Sequence, residues 1–247
     1  MTACNTPRSS LPESLELLSL GAEGWGDEIL SGVAVTAGLA LATLPLGLIL
    51  GFLVALARQS EERSLRLAGG IYTTVFRGLP ELLTLFLVYY GAQIGIQEAA
   101  KLLGAETAIE INSFVAGMVA LGMVFSAFAS EVFLSAFRAI PRGQYEGAYA
   151  VGLGRVSTMR LVVLPQLIRI ALPGLSNLWM ILLKETALVS VIGLSDILRQ
   201  AGIAARVTKD AFLFFGSACL LYLALALISS VAIGGINRWA ARGEAPR

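Results

Sequence analysis

Three stretches of the chain carry no charge over a length that suits a bilayer: Ile29 to Ala57 is 29 residues, Ile111 to Ser130 is 20, and Ala211 to Asn237 is 27. Each residue of a helix advances about 1.5 Å and the hydrocarbon core is about 30 Å thick, so roughly 20 apolar residues cross it. A buried helix of a soluble domain matches far shorter apolar runs. Two further apolar spans are interrupted by charge. One runs from about Leu67 to Gln97 and contains Arg77 and Glu81; the other runs from about Pro165 to Leu194 and contains Lys184 and Glu185. The pattern predicts an all-α polytopic membrane protein with five transmembrane helices, at about residues 29–57, 67–97, 111–137, 165–194 and 211–237.

Composition agrees. The chain of 247 residues is 56% hydrophobic and 14% charged, with a mean hydropathy of +0.77. Soluble domains carry about 25% charged residues, so this chain lacks the polar surface to cover itself in water. Lys and Arg then orient the spans. Residues 58–67, 138–160 and the tail from Arg238 hold ten of them, against five in the leader and the alternate connections (Arg8, Lys101, Arg199, Arg206, Lys209). Basic loops stay in the cytoplasm, which places the N-terminus outside and the C-terminus inside. Residues 1–28 read as a periplasmic acidic leader, with five acidic residues and one Arg and no basic stretch of the signal-peptide kind. Residues 29–240 form the membrane domain and 241–247 a cytoplasmic tail. No internal repeat is evident, and five spans do not divide into an inverted pair.

Several chemistries are excluded. The chain has no His, which removes His-based zinc sites, Ser-His-Asp triads and His general bases. Cys4 and Cys219 lie in the leader and in the last apolar run, a placement that argues against a pair. A net charge of +1 without a basic stripe offers nothing to nucleic acid. A phosphate-binding loop needs G-x4-G-K-[ST], and the nearest Gly-rich stretch, Gly152-Leu-Gly154-Arg-Val-Ser, has neither the spacing nor the Lys. Energy must come from another chain or from a gradient.

An ionised group near mid-bilayer costs about 2.5–3.5 kcal/mol, so such residues face the bundle interior or water. Arg77 and Glu81 stand four apart on one span, hence on one helical face, and can neutralise each other. Glu131 lies near the cytoplasmic end of the third span. Lys184 and Glu185 are adjacent, point about 100° apart and need separate environments. These five residues either pair helices structurally or line a translocation path and meet the charged groups of a substrate. Pro45, Pro80 and Pro173 interrupt apolar runs and tend to kink helices.

The connection 138–164 contains Pro141-Arg-Gly-Gln-Tyr-Glu146-Gly-Ala148-Tyr-Ala-Val-Gly152, then runs to Val162-Val-Leu164-Pro165. Gln144 to Val151 reads as a short helix opened by Pro141 and stopped by Gly152 and Gly154. Pro165 is placed to begin the next membrane helix. The loop resembles the EAA signature of importer permeases, in which Glu-Ala-Ala is followed by three residues, Gly, nine residues and Ile-x-Leu-Pro. Glu146, Ala148, Gly152, Val162, Leu164 and Pro165 stand at those spacings. Gly147 replaces the second position and Val162 the Ile. Tyr72-Thr-Thr-Val-Phe-Arg77-Gly-Leu-Pro80-Glu81, Ser130-Glu131-Val-Phe and Leu183-Lys184-Glu185-Thr186 resemble the polar-amino-acid branch. The likeness spans roughly residues 30–240 and is greatest to histidine/lysine/arginine and opine permeases.

That resemblance implies a type I ABC importer (MetI-like) permease bundle in a bacterial inner membrane. It implies a second permease subunit, two cytoplasmic ATPases that hold the ATP and Mg, and a periplasmic amino-acid-binding protein. Glu146, Gly147, Ala148, Gly152, Leu164 and Pro165 would couple the membrane helices to the ATPase, and the chain itself would be no enzyme and carry no cofactor or metal. Two other readings remain open at this point: a secondary transporter or channel working alone with Glu81 or Glu131 as an ion or proton site, and a membrane scaffold.

Overall fold

The computed structural model describes residues 16–21, 24–102 and 110–241, which are almost wholly helical. Much of the acidic leader, the stretch 103–109 and the tail from 242 lie outside the described residues, and with them Cys4, Arg8 and Glu106. Helix α1 (Gly26–Gln59) opens on Asp27 and Glu28 and closes on Arg58, charges that suit the positive and negative ends of a helix dipole. Its buried stripe is made of small residues, including Gly32, Thr36, Ala40, Thr43, Gly47, Gly51 and Ala55. Small side chains let backbones approach, and here the partner is α4 (Ser113–Ala139).

The two helices run in the same direction. Leu39 lies by Gly117, Thr43 and Leu46 by Gly122, Gly47 against Phe125, and Gly51 against Ala129. The chain between them must therefore return to its starting side. It does so through α2 (Arg63–Gly78) and α3 (Glu81–Leu102), which meet at 110°. From just past the middle of α3, Gln93 Oε1 accepts the Ile111 N–H at 2.9 Å, just before α4 begins.

The single span expected over 67–97, with a kink at Pro80, is thus two helices with a corner at Leu79–Pro80. A proline disfavours helical backbone in the residue before it, and Leu79 is extended at φ −90°, ψ 142°. Pro80 also has no N–H to continue the ladder. One consequence is a correction: Arg77 and Glu81 belong to different helices and do not share a face.

After α4, Pro141 caps the short α5 (Arg142–Ala150). Helix α6 (Arg155–Thr158) then passes through a π-helical turn, Met159–Val163, into α7 (Leu164–Glu185). Pro165 stands in the first turn of α7, as expected, but the helical path is already continuous from Arg155 and runs through a 3-10 segment to Ile192. The wide turn is how the proline is accommodated. Leu164 N–H reaches back five residues to the Met159 carbonyl, which relieves the clash a proline ring makes with the carbonyl four residues behind it. Helix α7 runs against α4, with Gly174 on Val132 at one level and the Ser113 hydroxyl donating to the Ile192 carbonyl at 3.2 Å at the far end.

The connection after residue 194 folds as α8 (Ile197–Thr208), and α9 (Ala211–Ala241) makes the last crossing. Among the described residues, four helices are long and apolar enough to cross a membrane, or five with the bent pair counted as one. The main core lies among α1, α4 and α7, around Leu39, Leu121, Phe125, Leu167 and Leu182. A smaller core joins Ile29, Ile197, Ala201, Phe214 and Ala218, so that α8 is packed at the start of α1 and α9. Beyond those contacts α9 displays Leu220, Leu223, Leu227 and Val231 outward. An apolar exterior of this kind is what lipid contact requires.

Candidate coupling surface and charged cavity

Helix α5 stands at the end of the bundle where α4 finishes and α6 starts. Ala148 is buried and Tyr145 packs on the main core, so this face holds the helix down. Gln166 Nε2 links it to α7, donating to Gln144 Oε1 at 3.1 Å and to the Val162 carbonyl at 2.9 Å. Glu146, Gly147, Tyr149 and Val151 are exposed. Val151, at the end of α5, is 77% exposed, and Val156, in the first turn of the helix that follows, 80%.

The helix ends on a geometric necessity. Gly152 has φ +85°, Leu153 N–H donates to the Ala148 carbonyl at 3.0 Å, and Gly152 N–H donates to the Tyr149 carbonyl at 3.0 Å. This pair of bonds is the Schellman cap, whose left-handed residue is normally glycine. Of the residues singled out in the sequence, Glu146, Gly147 and Gly152 face outward. Ala148 and Leu164 face the bundle, and Pro165 marks the π turn.

The intramembrane charges are partnered differently from the sequence expectation. Glu131 of α4 accepts a hydrogen bond from Arg77 Nη1 at Oε1, 2.7 Å, and Arg58 Nη1 lies 2.8 Å from the same oxygen. One carboxylate thus joins the ends of α1 and α2 to α4. Arg77 also lies over the Phe128 ring, 5.5 Å from its centroid. The Tyr72 hydroxyl fixes the same helix, 2.7 Å from the Ser126 hydroxyl and donating to the Met123 carbonyl at 3.1 Å. Arg58 was not foreseen because it ends a span and reads as an ordinary loop charge.

Glu81, freed from Arg77 by the corner, faces another carboxylate. A cavity of about 170 Å³ is lined by Glu81, Phe125, Phe128, Leu178, Ile181, Leu182 and Glu185. No Lys or Arg is among these lining residues. Lys184 is exposed and outside the cavity, while its neighbour Glu185 is partly buried and inside it.

At the opposite end of the bundle lies a residue the sequence reading passed over. Asp196 is fully buried and caps α8, accepting the Arg199 N–H at 2.9 Å, and the Tyr222 hydroxyl donates to it at 3.3 Å. Burial raises its carboxyl above the usual range, and the Arg199 and Leu198 N–H groups and Tyr222 pull it partly back. Ile197 N–H donates to the Thr36 hydroxyl at 3.3 Å. The signal was available: an Asp directly before an apolar-periodic run marks a helix start. Among the described residues, no three His, Cys, Asp or Glu groups come together as a metal would need.

The same architecture recurs in solved transporters. An amino acid ABC transporter crystallised with histidines matches with a TM-score of 0.73 at 31% identity, over 87% of this chain and 94% of that one. The MetNI methionine ABC transporter in an inward-facing form matches in fold, with a TM-score of 0.70 at 18% identity over 90% and 100% of the two chains. Among curated relatives, the nopaline transport system permease protein NocQ of Agrobacterium fabrum is 42% identical over 230 residues, 93% of this chain and 98% of its own length. The histidine/lysine/arginine/ornithine permease HisQ of Salmonella typhimurium is 37% identical over 84% and 90%, and the arginine permease ArtQ of Haemophilus influenzae 40% over 81% and 87%. Residues 44–242 match the binding-protein-dependent transport system inner membrane component family, and with these relatives the chain belongs to that family.

Proposed function

We propose that this chain is the membrane-spanning permease subunit of an ATP-driven importer in a bacterial inner membrane, and that it carries amino acids with a cationic group, opines among them. The observation that carries the coupling half of this reading is the outward face of α5. A short helix pinned by Ala148 and Tyr145 presents Glu146, Gly147 and Tyr149, with the apolar Val151 and Val156 beside it. A small, rigid, partly apolar projection suits a groove on a partner better than it suits water. The partner is a cytoplasmic ATPase that binds the ATP and Mg, so the α5 end faces the cytoplasm, as the Lys and Arg count also indicates.

The cavity supports the substrate class. Two carboxylates with no basic lining residue favour a guanidinium or ammonium group, and flanking Phe125 and Phe128 add aromatic faces that attract cations. The relatives named for nopaline, arginine and histidine/lysine/arginine/ornithine agree with that choice. A second permease, a paralogue or a copy of this chain, would complete the path, and a periplasmic binding protein would deliver the substrate.

Reconstitution tests the reading. Labelled arginine uptake is measured in vesicles holding this chain alone, and then with a candidate ATPase, second permease and binding protein. Uptake is expected only in the full assembly and only with ATP; uptake by the isolated chain refutes the proposal in favour of a secondary transporter. Glu146→Lys is expected to abolish uptake while leaving insertion intact, and unchanged uptake removes the docking role.

A further inference from the structure

The charges around Glu131 do not balance. Its Oε1 meets two guanidinium groups, Arg58 at 2.8 Å and Arg77 at 2.7 Å, which leaves one positive charge over. The two arginines are not equivalent: the Arg58 side chain is 19% exposed and that of Arg77 43%. Arg58 is the more enclosed, at ion-pair distance from Glu131 but with no hydrogen bond at Nη1, whereas Arg77 is the more accessible to a ligand. Beside it, Glu81 and Glu185 share a cavity without a basic lining residue, the exposed Lys184 lying outside it. Phe128 lines that cavity and also carries the Arg77 guanidinium over its ring. A surplus cation and two carboxylates therefore flank one aromatic side chain at the corner between α2 and α3.

We infer that Arg77 recognises the carboxylate of the substrate, and that Glu131 occupies Arg77 until that carboxylate arrives. The inference rests on the cavity being part of the amino-acid path. A zwitterion entering beside two carboxylates needs a cation for its own carboxylate, and a guanidinium meets one with two parallel hydrogen bonds. Exchange of one carboxylate for another at Arg77 conserves charge. It does not strand Glu131, because Arg58 remains on it; an uncompensated buried charge would otherwise oppose the step. Arg58 thus makes the exchange feasible, and Arg77 sets the specificity.

The test uses the permease assembled with its partner permease and ATPases in nanodiscs, without binding protein, so that only the membrane subunits select. Binding of labelled L-arginine is competed with unlabelled L-arginine and with agmatine, which keeps the guanidinium and amine but lacks the carboxylate. The unaltered complex should favour arginine by about tenfold or more, the scale of one charge-assisted contact. Arg77→Ala should erase that preference by weakening arginine and sparing agmatine, and Arg77→Lys should restore part of it. Glu131→Gln removes the competing carboxylate and should tighten arginine relative to agmatine; because it retains a polar side chain between the arginines, it also serves if Arg77→Ala fails to assemble. Equal binding of the two compounds by the unaltered complex, a preference that survives Arg77→Ala, or weaker arginine binding in Glu131→Gln overturns the role given to Arg77. Binding of neither compound by the unaltered complex overturns the cavity reading beneath it.

Discussion

Replacing Gly152 isolates a single energetic cost. A Cβ at this position meets nothing within 4 Å, so neither a clash nor lost packing contributes. What remains is the backbone at φ +85°, which costs an L residue about 1–2 kcal/mol. The opposing contribution comes from the two cap bonds, Leu153 to Ala148 and Gly152 to Tyr149. A cost of that size lowers the population of the capped turn roughly 5–30-fold relative to uncapped alternatives. Asparagine tolerates the left-handed region better than alanine, and a β-branched valine worse. ATP-dependent arginine uptake by the reconstituted importer should therefore fall in the order Gly152, Asn, Ala, Val. Because Gly152 is exposed and a side chain there meets nothing within 4 Å, the thermal unfolding temperature in detergent should stay constant across the series. Equal uptake by all four proteins would refute the argument. So would an unfolding temperature that falls in step with uptake, since that would make Gly152 a packing residue.

Two other positions test different contacts. A Cβ on Gly32 would stand 2.9 Å from the backbone of Asp196 and Ile197, which cannot rotate aside, so Gly32→Ala should cost about 1–3 kcal/mol by overpacking; Gly38→Ala, on the same helix in open space, should instead gain up to about 1 kcal/mol from helix propensity, and thermal unfolding that ranks the two the other way would exclude the close approach. Pro165→Ala restores an N–H and removes the ring that the wide turn at Met159–Val163 accommodates, so the turn should tighten to α-helix and rotate α5 relative to α7 by about 100° per residue of register; altered cross-linking between cysteines placed at Gln144 and Gln166 is expected, and an unchanged pattern would detach the π turn from Pro165.

Asp196 and Arg58 show why parts of the site escaped a linear reading. Asp196 sits where a helix start is written in the usual way, but α8 is short, amphipathic and lies between two long apolar runs, so it passed as a connection. Its burial comes from Gly32, Thr36 and Tyr222, which reach it from α1 and α9. Arg58 lies at the polar end of a span, where loop charges are expected, and only the position of Glu131 makes it part of a site.

Hydrophobic length by itself determined that the chain crosses a membrane several times, since the cost of an unpaired backbone in lipid leaves helices as the solution for apolar runs of this length. The short α5 helix and its arrest at Gly152 were also legible, because capping depends on residues within one turn. The partners of the charges were not. Arg77 and Glu81 stand four apart in sequence, yet the extended Leu79 before Pro80 turns the chain through 110° between them. That corner sends Arg77 to Glu131 and Glu81 to the cavity it shares with Glu185. Which charges meet depends on how helix faces pack across distances the sequence does not encode locally, so only the tertiary structure separates a surplus cation from a pair of carboxylates.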